Sequence, residues 1–142
     1  MRIADVLRRK GDQVATIAPE ETVTELLDRL AEYRIGALVV STDGESVDGI
    51  VSERDVVRRL QQDGPSALGL QVREIMTAEV HSCRPGDLID DLMRVMTERR
   101  VRHVPVVVDG RLAGIVSIGD VVKHRIDELQ SERDHLTAYI TG

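Results

Sequence analysis

The sequence repeats itself internally. Residues 49–57 (GIVSERDVV) recur as residues 114–122 (GIVSIGDVV), and in both copies an apolar run is followed by Ser and, three positions later, by Asp. A long internal period indicates that one supersecondary unit is built twice. Each copy predicts a short strand that runs into a helix, and the backbone N–H groups at such a helix start suit an anion.

The similarity extends upstream of this motif. Residues 35–40 align with residues 101–106, and residues 5–7 align with residues 74–76. The boundaries that follow are a first repeat at residues 1–64, a linker at 65–70, a second repeat at 71–127 and a tail at 128–142. A unit of this size is near the lower limit for independent folding, so the two repeats are expected to share a core.

Hydrophobic periodicity predicts the order β-α-β-β-α in each repeat, with a short helix ahead of it. Thr22 and Glu25 form a capping box, and Asp43-Gly44 and Asp109-Gly110 are turn signals. The predicted helices cover residues 2–10, 22–33, 52–62, 72–76 and a segment from Asp87 in which Leu88, Ile89, Leu92, Met93 and Met96 are buried. The predicted strands cover residues 14–17, 35–41, 47–51, 80–83, 104–108 and 112–116. These elements place the chain in the α/β (α+β) class.

The C-terminal tail departs from the repeat. Its apolar positions alternate at spacings of four and three, which is the pattern of a heptad seam with one charged interruption. The seam consists of Val122, Ile126, Leu129, Arg133, Leu136 and Ile140. The spacing predicts a long helix and leaves two arrangements open: the helix folds back over its own domain, or it pairs with a second subunit.

Composition limits the function classes. A net charge of −6 and the absence of Phe and Trp argue against a nucleic-acid-binding protein, which needs a basic face or stacking platforms. No apolar run approaches the length of a membrane span and no leader pattern begins the chain, so we expect a cytoplasmic protein. The single cysteine, Cys83, excludes an intrachain disulfide. With only two Tyr residues, a bound base is expected to lie between aliphatic side chains.

The element order and the tandem motif Gly-Ile-Val-Ser-x-x-Asp resemble the cystathionine-β-synthase (CBS) domain pair, also called a Bateman module. The resemblance covers residues 1–127 and implies repeats packed as a pseudo-twofold pair with up to two nucleotide sites in the cleft between them. It also implies a regulatory, non-catalytic protein that binds AMP, ADP, ATP or S-adenosylmethionine and requires no cofactor. A stand-alone bacterial or archaeal pair of this type is expected to form a homodimer and to act on another protein, which the sequence does not identify.

The resemblance assigns the ribose and the phosphate of the ligand to the repeated motif. Asp55 and Asp120 are expected to bind the ribose hydroxyls, because one ionised carboxylate accepts hydrogen bonds from two neighbouring hydroxyls. Ser52 and Ser117 are expected to contact ribose or phosphate.

The resemblance assigns the remaining contacts to segments outside the motif. Backbone bonds to the adenine edge are expected from Thr16, Ile17 and Ala18 in the first repeat and from Ser82, Cys83 and Arg84 in the second. Arg102 and His103 fall where relatives hold phosphate, whereas the matching Gly36 and Ala37 carry no charge. The Asp120 site, with Arg102 and His103 nearby, is therefore expected to bind a phosphorylated ligand, and Arg54 is the candidate cation at the Asp55 site.

Each of these signals has a competing interpretation. Ser-x-x-Asp at a helix start is also a capping arrangement, so the chain could be a ligand-free dimerisation or assembly module that acts through protein–protein contacts. His81 and Cys83 lie two residues apart on a predicted strand, but no third or fourth ligand at useful spacing supports a metal site. No acid, base and nucleophile set can be assigned to one place, so we expect no enzymatic activity.

Overall fold

The computed structural model describes residues 1–11 and 14–141, so parts of the predicted first repeat (residues 12 and 13) and of the predicted tail (Gly142) lie outside it. The first repeat contains α1 (Ile3–Lys10), β1 (Thr16–Ile17), α2 (Val23–Tyr33), β2 (Ala37–Val40), β3 (Gly49–Ser52) and α3 (Glu53–Asp63). A 3₁₀ helix (Gly64–Gly69) follows. The second repeat contains α4 (Val72–Ile75), α5 (Ile89–Arg99), β4 (His103–Val108), β5 (Arg111–Ser117) and α6 (Ile118–Thr141). This mixture of helices and strands confirms the predicted fold class.

Each repeat contains one small sheet. In the first repeat β2 is the central strand, parallel to β1 and antiparallel to β3. In the second repeat β4 and β5 form an antiparallel pair with His103 opposite Ser117. The prediction of a strand at residues 80–83 is wrong. Among these four residues only Cys83 is paired, in one isolated parallel bridge with Val106. The turn that begins at the next residue, where Arg84 N–H donates to the Asp87 carboxylate, ends the extended segment.

The starts of α2 and α5 differ in how well the sequence predicted them. Thr22 and Glu25 form the predicted capping box, in which the Thr22 hydroxyl accepts from the Glu25 N–H at 3.2 Å. Leu88, by contrast, is the N-cap residue of α5 and is 41% exposed, so its predicted burial is wrong. Because an N-cap residue has extended backbone angles, its side chain leaves the buried stripe of the helix. The buried residues of α5 are Ile89, Leu92 and Met96.

The two repeats exchange their short N-terminal helices. One core contains Ile3 and Val6 of α1 together with residues of the second repeat, among them Leu92, Val104 and Val116. The other core contains Val72 and Ile75 of α4 together with residues of the first repeat, among them Leu26, Leu38 and Val51. The expected shared core is therefore two cores, and each is completed by a helix from the other repeat.

Two matching glycines permit this exchange. A Cβ at Gly114 would lie 2.7 Å from a terminal methyl group of Leu7 in α1. A Cβ at Gly49, the same motif position in the first repeat, would lie 2.7 Å from the Met76 sulfur and 2.8 Å from the Thr77 carbonyl oxygen. Thr77 also exchanges two backbone hydrogen bonds with Ile50, at 3.0 and 2.9 Å, so its carbonyl cannot move freely. Gly49 is thus required by the close approach of the chain from the other repeat, whereas at Gly114 the approaching group is the end of a flexible side chain.

The segment between the repeats has structure of its own. Residues 65–70, predicted as a linker, fall mostly in the 3₁₀ helix, where Ala67 is fully buried. The Leu70 carbonyl accepts from the Val23 N–H at 2.9 Å, and the Leu68 carbonyl accepts from the Thr24 hydroxyl at 2.9 Å. The segment therefore caps the start of α2 as well as connecting the repeats.

The tail continues α6 away from the body. Val121 and His124 are its buried residues, and Asp127 forms an ion pair with Arg9 of α1 at 3.0 Å. The apolar seam residues Val122, Ile126, Leu129, Leu136 and Ile140 are between 47% and 80% exposed. Of the two arrangements left open by the sequence, folding back over its own domain is therefore wrong. Among the described residues, no helix has both the length and the apolarity needed to cross a lipid bilayer.

The helix exchange predicts unequal effects of two matched substitutions. We expect Gly49→Ala to lower the free energy of unfolding by about 1–3 kcal/mol, because the new methyl group meets a fixed backbone carbonyl. Gly114→Ala should cost clearly less, since the terminal methyl groups of Leu7 can rotate away. Urea unfolding of both variants measures the difference, and equal losses would contradict the packing described above.

Candidate functional site

The Asp55 motif forms a helix cap. Asp55 Oδ2 accepts hydrogen bonds from the Ser52 N–H at 2.8 Å and from the Ser52 hydroxyl at 3.1 Å. Strand β3 ends and α3 begins at this point, so the carboxylate lies at the positive end of the helix dipole. In the part of the chain that the structure describes, both bonds use Oδ2, and Oδ1 remains available to accept from a ligand.

The Asp120 motif forms the corresponding cap at the start of α6, with one difference in its bonds. Asp120 Oδ2 accepts from the Ser117 N–H at 2.9 Å, and the Asp120 N–H donates to the Ser117 hydroxyl at 3.1 Å. The capping interpretation of both motifs is therefore confirmed. It does not exclude a ligand role, because capping uses one carboxylate oxygen and leaves the other.

Each motif faces a cleft whose opposite side comes from the other repeat. The cleft beside Asp55 has a volume of about 560 Å³ and is lined on its far side by the turn between α5 and β4 and by residues 79–81. The cleft beside Asp120 has a volume of about 820 Å³ and is lined on its far side by the turn between α2 and β2 and by Val14 and Ala15. The two clefts are related by the internal repeat, so the same backbone site occurs twice.

The two clefts differ strongly in charge. The Asp55 cleft is lined by five arginines: Arg54, Arg58, Arg99, Arg100 and Arg102. Its carboxylates are Glu53, Asp55 and Glu79. The charged residues that line the Asp120 cleft are Lys10, Arg34 and Asp120. The Asp55 cleft is therefore the one with a cluster of guanidinium groups able to hold phosphate.

The position of Arg102 differs from the predicted grouping. The sequence placed Arg102 with Asp120, and its backbone carbonyl does accept from the Ile118 N–H at 2.8 Å, but Arg102 lines the Asp55 cleft, while His103 lines both clefts. The reason is the exchange between repeats, which sets the α5–β4 turn opposite the motif of the first repeat. Arg54, the candidate cation at the Asp55 site, does line that cleft.

Lys10 occupies the Asp120 carboxylate, a contact that sequence reasoning missed. Its ammonium group donates to Asp120 Oδ2 at 2.6 Å and to the Ile115 carbonyl at 2.9 Å. Burial alone would raise the pKa of Asp120, but the hydrogen bonds from Lys10 and from the Ser117 N–H outweigh it and hold this pKa below its usual value. The sequence did contain a signal for this contact. Continuing the alignment of residues 5–7 with residues 74–76 pairs Lys10 with Glu79, so the two repeats carry opposite charges at this position.

His103 is a weaker phosphate ligand than its position suggested. Burial, followed by the positive charge of Lys10, lowers the pKa of His103 below its ordinary value of 6.5. The imidazole is therefore mainly neutral at pH 7 and contributes a hydrogen-bonding group rather than a charge. Positive charge in the Asp55 cleft comes from its arginines.

The model of the CBS domain matches residues 3–62 and again residues 72–127. The chain belongs to the CBS-domain family. A crystal structure of a CBS-domain protein from Agrobacterium tumefaciens is 44% identical and covers 88% of this chain and 99% of its own, with a TM-score of 0.85. A mitochondrial CBS-domain protein of Arabidopsis thaliana is 35% identical over 99% of this chain and 72% of its own length. A CBS protein from Pyrobaculum aerophilum, solved in complex with AMP, is 26% identical and covers 84% of this chain and 89% of its own, with a TM-score of 0.75.

The segments expected to bond the adenine edge lie beside the clefts of this CBS pair rather than in their lining. Thr16 and Ile17 form β1, and the Ala18 N–H already donates to Glu21 at 2.8 Å. Cys83 is buried in the core of the second repeat, and Ser82 also lies outside the described lining of the Asp55 cleft. In both repeats, the lining residues begin further upstream, at Val14 and Ala15 and at residues 79–81. The adenine contacts themselves stay a prediction.

Removing Lys10 tests the ion pair with Asp120. The hydrogen bonds from Lys10 and from the Ser117 N–H lower the pKa of Asp120 in the folded protein. They therefore stabilise the fold fully at a pH above the pKa of Asp120 in the unfolded chain, and this stabilisation is lost as the pH falls through the pKa of Asp120 in the folded protein. We expect Lys10→Met to reduce the free energy of unfolding at pH 7 by about 0.5–1 kcal/mol, and the difference to shrink below about pH 4. Urea titrations between pH 3 and pH 7 measure it, with Arg9→Met, whose ion pair with Asp127 is more exposed, as the control. A difference that persists unchanged at low pH would show that packing, not charge, is lost.

The burial of Cys83 predicts an unreactive thiol. Burial, followed by the charge of Asp87, raises the pKa of Cys83 to about 12. Because the thiolate is the reactive species, a disulfide reagent at pH 8 should label the native CBS pair at least about 100-fold more slowly than the protein in concentrated urea. Rates within tenfold of each other would mean that the core opens far more often than its packing implies.

Proposed function

We propose that this CBS pair is a regulatory module that binds an adenine nucleotide in the cleft beside Asp55. The observation that carries the proposal is the juxtaposition there of five arginines with a carboxylate oxygen that the cap leaves available. The arginines supply charge-assisted bonds to phosphate, and Oδ1 of Asp55 supplies an acceptor for ribose hydroxyls. The preferred cleft is thus the Asp55 cleft, in place of the Asp120 cleft favoured by the sequence.

The roles of the lining residues follow from their chemistry. Arg102, Arg99 and Arg100 hold phosphate from the second repeat, with Arg54 opposite them at the start of α3. Ser52 contacts ribose or phosphate from the cap. The base lies against the aliphatic side chains of the cleft, which are Ile50, Val80 and Val101. Aliphatic walls are expected because the chain has no Phe or Trp.

Known CBS structures support an adenosine ligand. The Pyrobaculum aerophilum relative was solved with AMP. Another CBS pair, 23% identical and with a TM-score of 0.79, was solved with methylthioadenosine and S-adenosylmethionine, which shows a ligand without phosphate in the same fold. For the present chain the arginine cluster favours AMP, ADP or ATP, and S-adenosylmethionine is the alternative.

The Asp120 cleft is the second, weaker site of the proposal. Lys10 donates to Asp120 Oδ2 and neutralises the carboxylate, so the remaining oxygen, Oδ1, is a weaker acceptor for ribose hydroxyls than Oδ1 of Asp55. Glu79 lines the Asp55 cleft at the position that matches Lys10, so that carboxylate is not neutralised in the same way. We expect occupancy of the Asp55 cleft first, with Ser117, Asp120 and His103 contributing only at higher ligand concentration.

Regulation follows from the position of the cleft between repeats. A ligand that contacts both repeats stabilises one relative arrangement of them only if it binds that arrangement more tightly than others. The module catalyses nothing in this proposal; it changes shape or assembly, and a regulated protein responds. A homodimer and a cytoplasmic location remain predictions, and the Arabidopsis relative is described as mitochondrial.

The second candidate is a ligand-free assembly module. Two observations favour it: both Ser-x-x-Asp motifs make capping hydrogen bonds, and the seam of α6 is exposed. In that case the arginines of the Asp55 cleft are solvated surface charges. Ligand binding decides between the two candidates.

Arg102→Ala tests the phosphate role. Binding of AMP, ADP, ATP and S-adenosylmethionine is first measured by dye-based thermal shift and then by calorimetry. Loss of a charge-assisted bond costs about 1.5–3 kcal/mol, so the variant should bind ATP and ADP about 10–100-fold more weakly. Affinity for S-adenosylmethionine should change less, since that ligand carries no phosphate and offers an arginine only its single carboxylate. Arg94→Ala, on the exposed side of α5 and outside the clefts, is the matched control.

Asp55→Asn and Asp120→Asn then distinguish the two clefts. Asn keeps an oxygen for the cap but removes the carboxylate charge, so stability should change less than with Ala. We expect Asp55→Asn to weaken all adenosine ligands and Asp120→Asn to leave the tighter site unchanged. The reverse order would return the primary site to Asp120, and no binding by the wild type at millimolar concentration would favour the assembly module.

A further inference from the structure

One histidine lies where the two clefts meet. His103 is the first residue of β4, opposite Ser117 of β5, and it lines both the Asp55 cleft and the Asp120 cleft. Its neighbour in the first repeat is Gly36, where a Cβ would lie 3.7 Å from Cε1 of His103. Gly36 also lines both clefts. The imidazole therefore stands at the boundary between the clefts, where a ligand in either one can contact it.

The ring of His103 has unused hydrogen-bonding capacity. Among the described residues, no group hydrogen-bonds its nitrogens, whereas Nε2 of His81 in the Asp55 cleft lies 3.4 Å from Nη1 of Arg99. His103 is also half-buried, so water does not fully solvate the ring. A partly buried imidazole with both nitrogens unpaired is a group that a ligand can satisfy.

Charges from several elements act on this ring. They belong to Lys10 of α1, Asp120 of α6, Glu53 of α3 and the adjacent Arg102. Burial is the largest effect on the pKa of His103 and Lys10 the next; both lower it, and the two carboxylates offset only part of the decrease. Arg34 of the α2–β2 turn adds a further cation to the Asp120 cleft. In the free protein, burial and nearby cations therefore oppose a proton on this ring.

We propose that His103, in addition to its place in the Asp120 cleft, binds the phosphate of a nucleotide in the Asp55 cleft as an imidazolium, so that nucleotide binding takes up a proton. This inference rests on the function proposed above. A phosphate held by Arg102 brings about two negative charges beside the ring, and opposite charge at this range favours the protonated form. The imidazolium then donates a charge-assisted hydrogen bond to the phosphate. The proton comes from solvent and returns to it when the nucleotide leaves.

This proton gives nucleotide binding a pH dependence that the arginines cannot supply. An arginine stays charged throughout the physiological range, so it takes up no proton when a ligand binds. By reciprocity, a proton that binds together with the nucleotide tightens nucleotide binding as the pH falls. His103 thus makes the Asp55 cleft sensitive to pH as well as to nucleotide concentration.

Calorimetry in buffers of different ionisation enthalpy counts the protons that accompany ADP binding. At pH 7 the wild type should take up at least about 0.25 proton more than His103→Gln, because Gln is polar but does not titrate. The terminal phosphate of ADP titrates near about pH 6, and this contribution is common to both proteins. His81→Gln is the matched control: His81 lines the Asp55 cleft, and its loss should leave the proton count unchanged.

Lys10→Met tests the origin of the proton from the other cleft. Lys10 opposes a proton on His103, and it is not among the described lining of the Asp55 cleft. Its removal therefore changes the ring without removing a phosphate contact. Proton uptake on ADP binding should reach its maximum at a higher pH in Lys10→Met than in the wild type. An unchanged maximum would show that the proton is taken up elsewhere.

Two further measurements separate proton linkage from a structural role of His103. Between pH 8 and pH 6.5, the ADP affinity of the wild type relative to His103→Gln should rise at least about twofold, whereas lost packing would weaken binding equally at every pH. Proton NMR of the wild type, with the His103 resonance assigned by its absence from the variant, should show a higher titration midpoint when ADP is bound. An unchanged midpoint overturns the inference.

The outcomes distinguish this inference from the function on which it rests. Equal proton uptake by wild type and His103→Gln overturns the inference and leaves nucleotide binding intact. Loss of the uptake in His81→Gln instead assigns the proton to that residue and also overturns it. No ADP binding by the wild type at millimolar concentration contradicts the proposed function and the inference together. Far-ultraviolet circular dichroism of each variant confirms folding.

Discussion

The packing of α1 and α4 across the repeats is the interaction on which the remaining structure depends. Leu7 lies against Gly114 of the second repeat, and Met76 lies against Gly49 of the first. Each helix therefore completes the core of the repeat to which it does not belong, and neither repeat would retain a full core alone. The same exchange sets each Ser-x-x-Asp motif opposite the helix-to-strand turn of the other repeat. Residues of both repeats line each cleft.

The Asp55 and Asp120 clefts have corresponding backbone geometry, so any difference in ligand binding between them comes from their side chains. The α2–β2 and α5–β4 turns both begin with an arginine in the left-handed region, Arg34 at φ 54° and Arg100 at φ 53°. Around this shared geometry, the Asp55 cleft has Arg102 and Glu79 where the Asp120 cleft has Gly36 and Lys10. The first cleft thus has more arginines than carboxylates, whereas in the second a lysine neutralises the Asp120 carboxylate. Equal occupancy by one anionic ligand is not expected from such a pair.

Local features were predictable from the sequence, and the pairing between repeats was not. The Thr22 capping box and both Ser-x-x-Asp caps depend on contacts three residues apart, which spacing alone reveals. A repeat, however, is equally compatible with each motif facing its own turn or the turn of the other copy, and this choice determines whether Arg102 belongs with Asp55 or Asp120. Lys10 was missed for the same reason, since its partner lies in the other repeat.

Helix α6 connects the Asp120 cleft to the exposed seam. Its first turn carries Asp120, and two ion pairs attach it to α1: Lys10 with Asp120 and Arg9 with Asp127. A ligand in the Asp120 cleft that displaces Lys10 removes the more buried of these two attachments. Such a ligand influences the association of α6 only if it alters the angle at which the helix leaves the body, because coupling requires two arrangements with different affinities. The Asp55 cleft is lined by no member of either ion pair, so in the proposed function only a ligand in the Asp120 cleft acts directly on the attachment of α6.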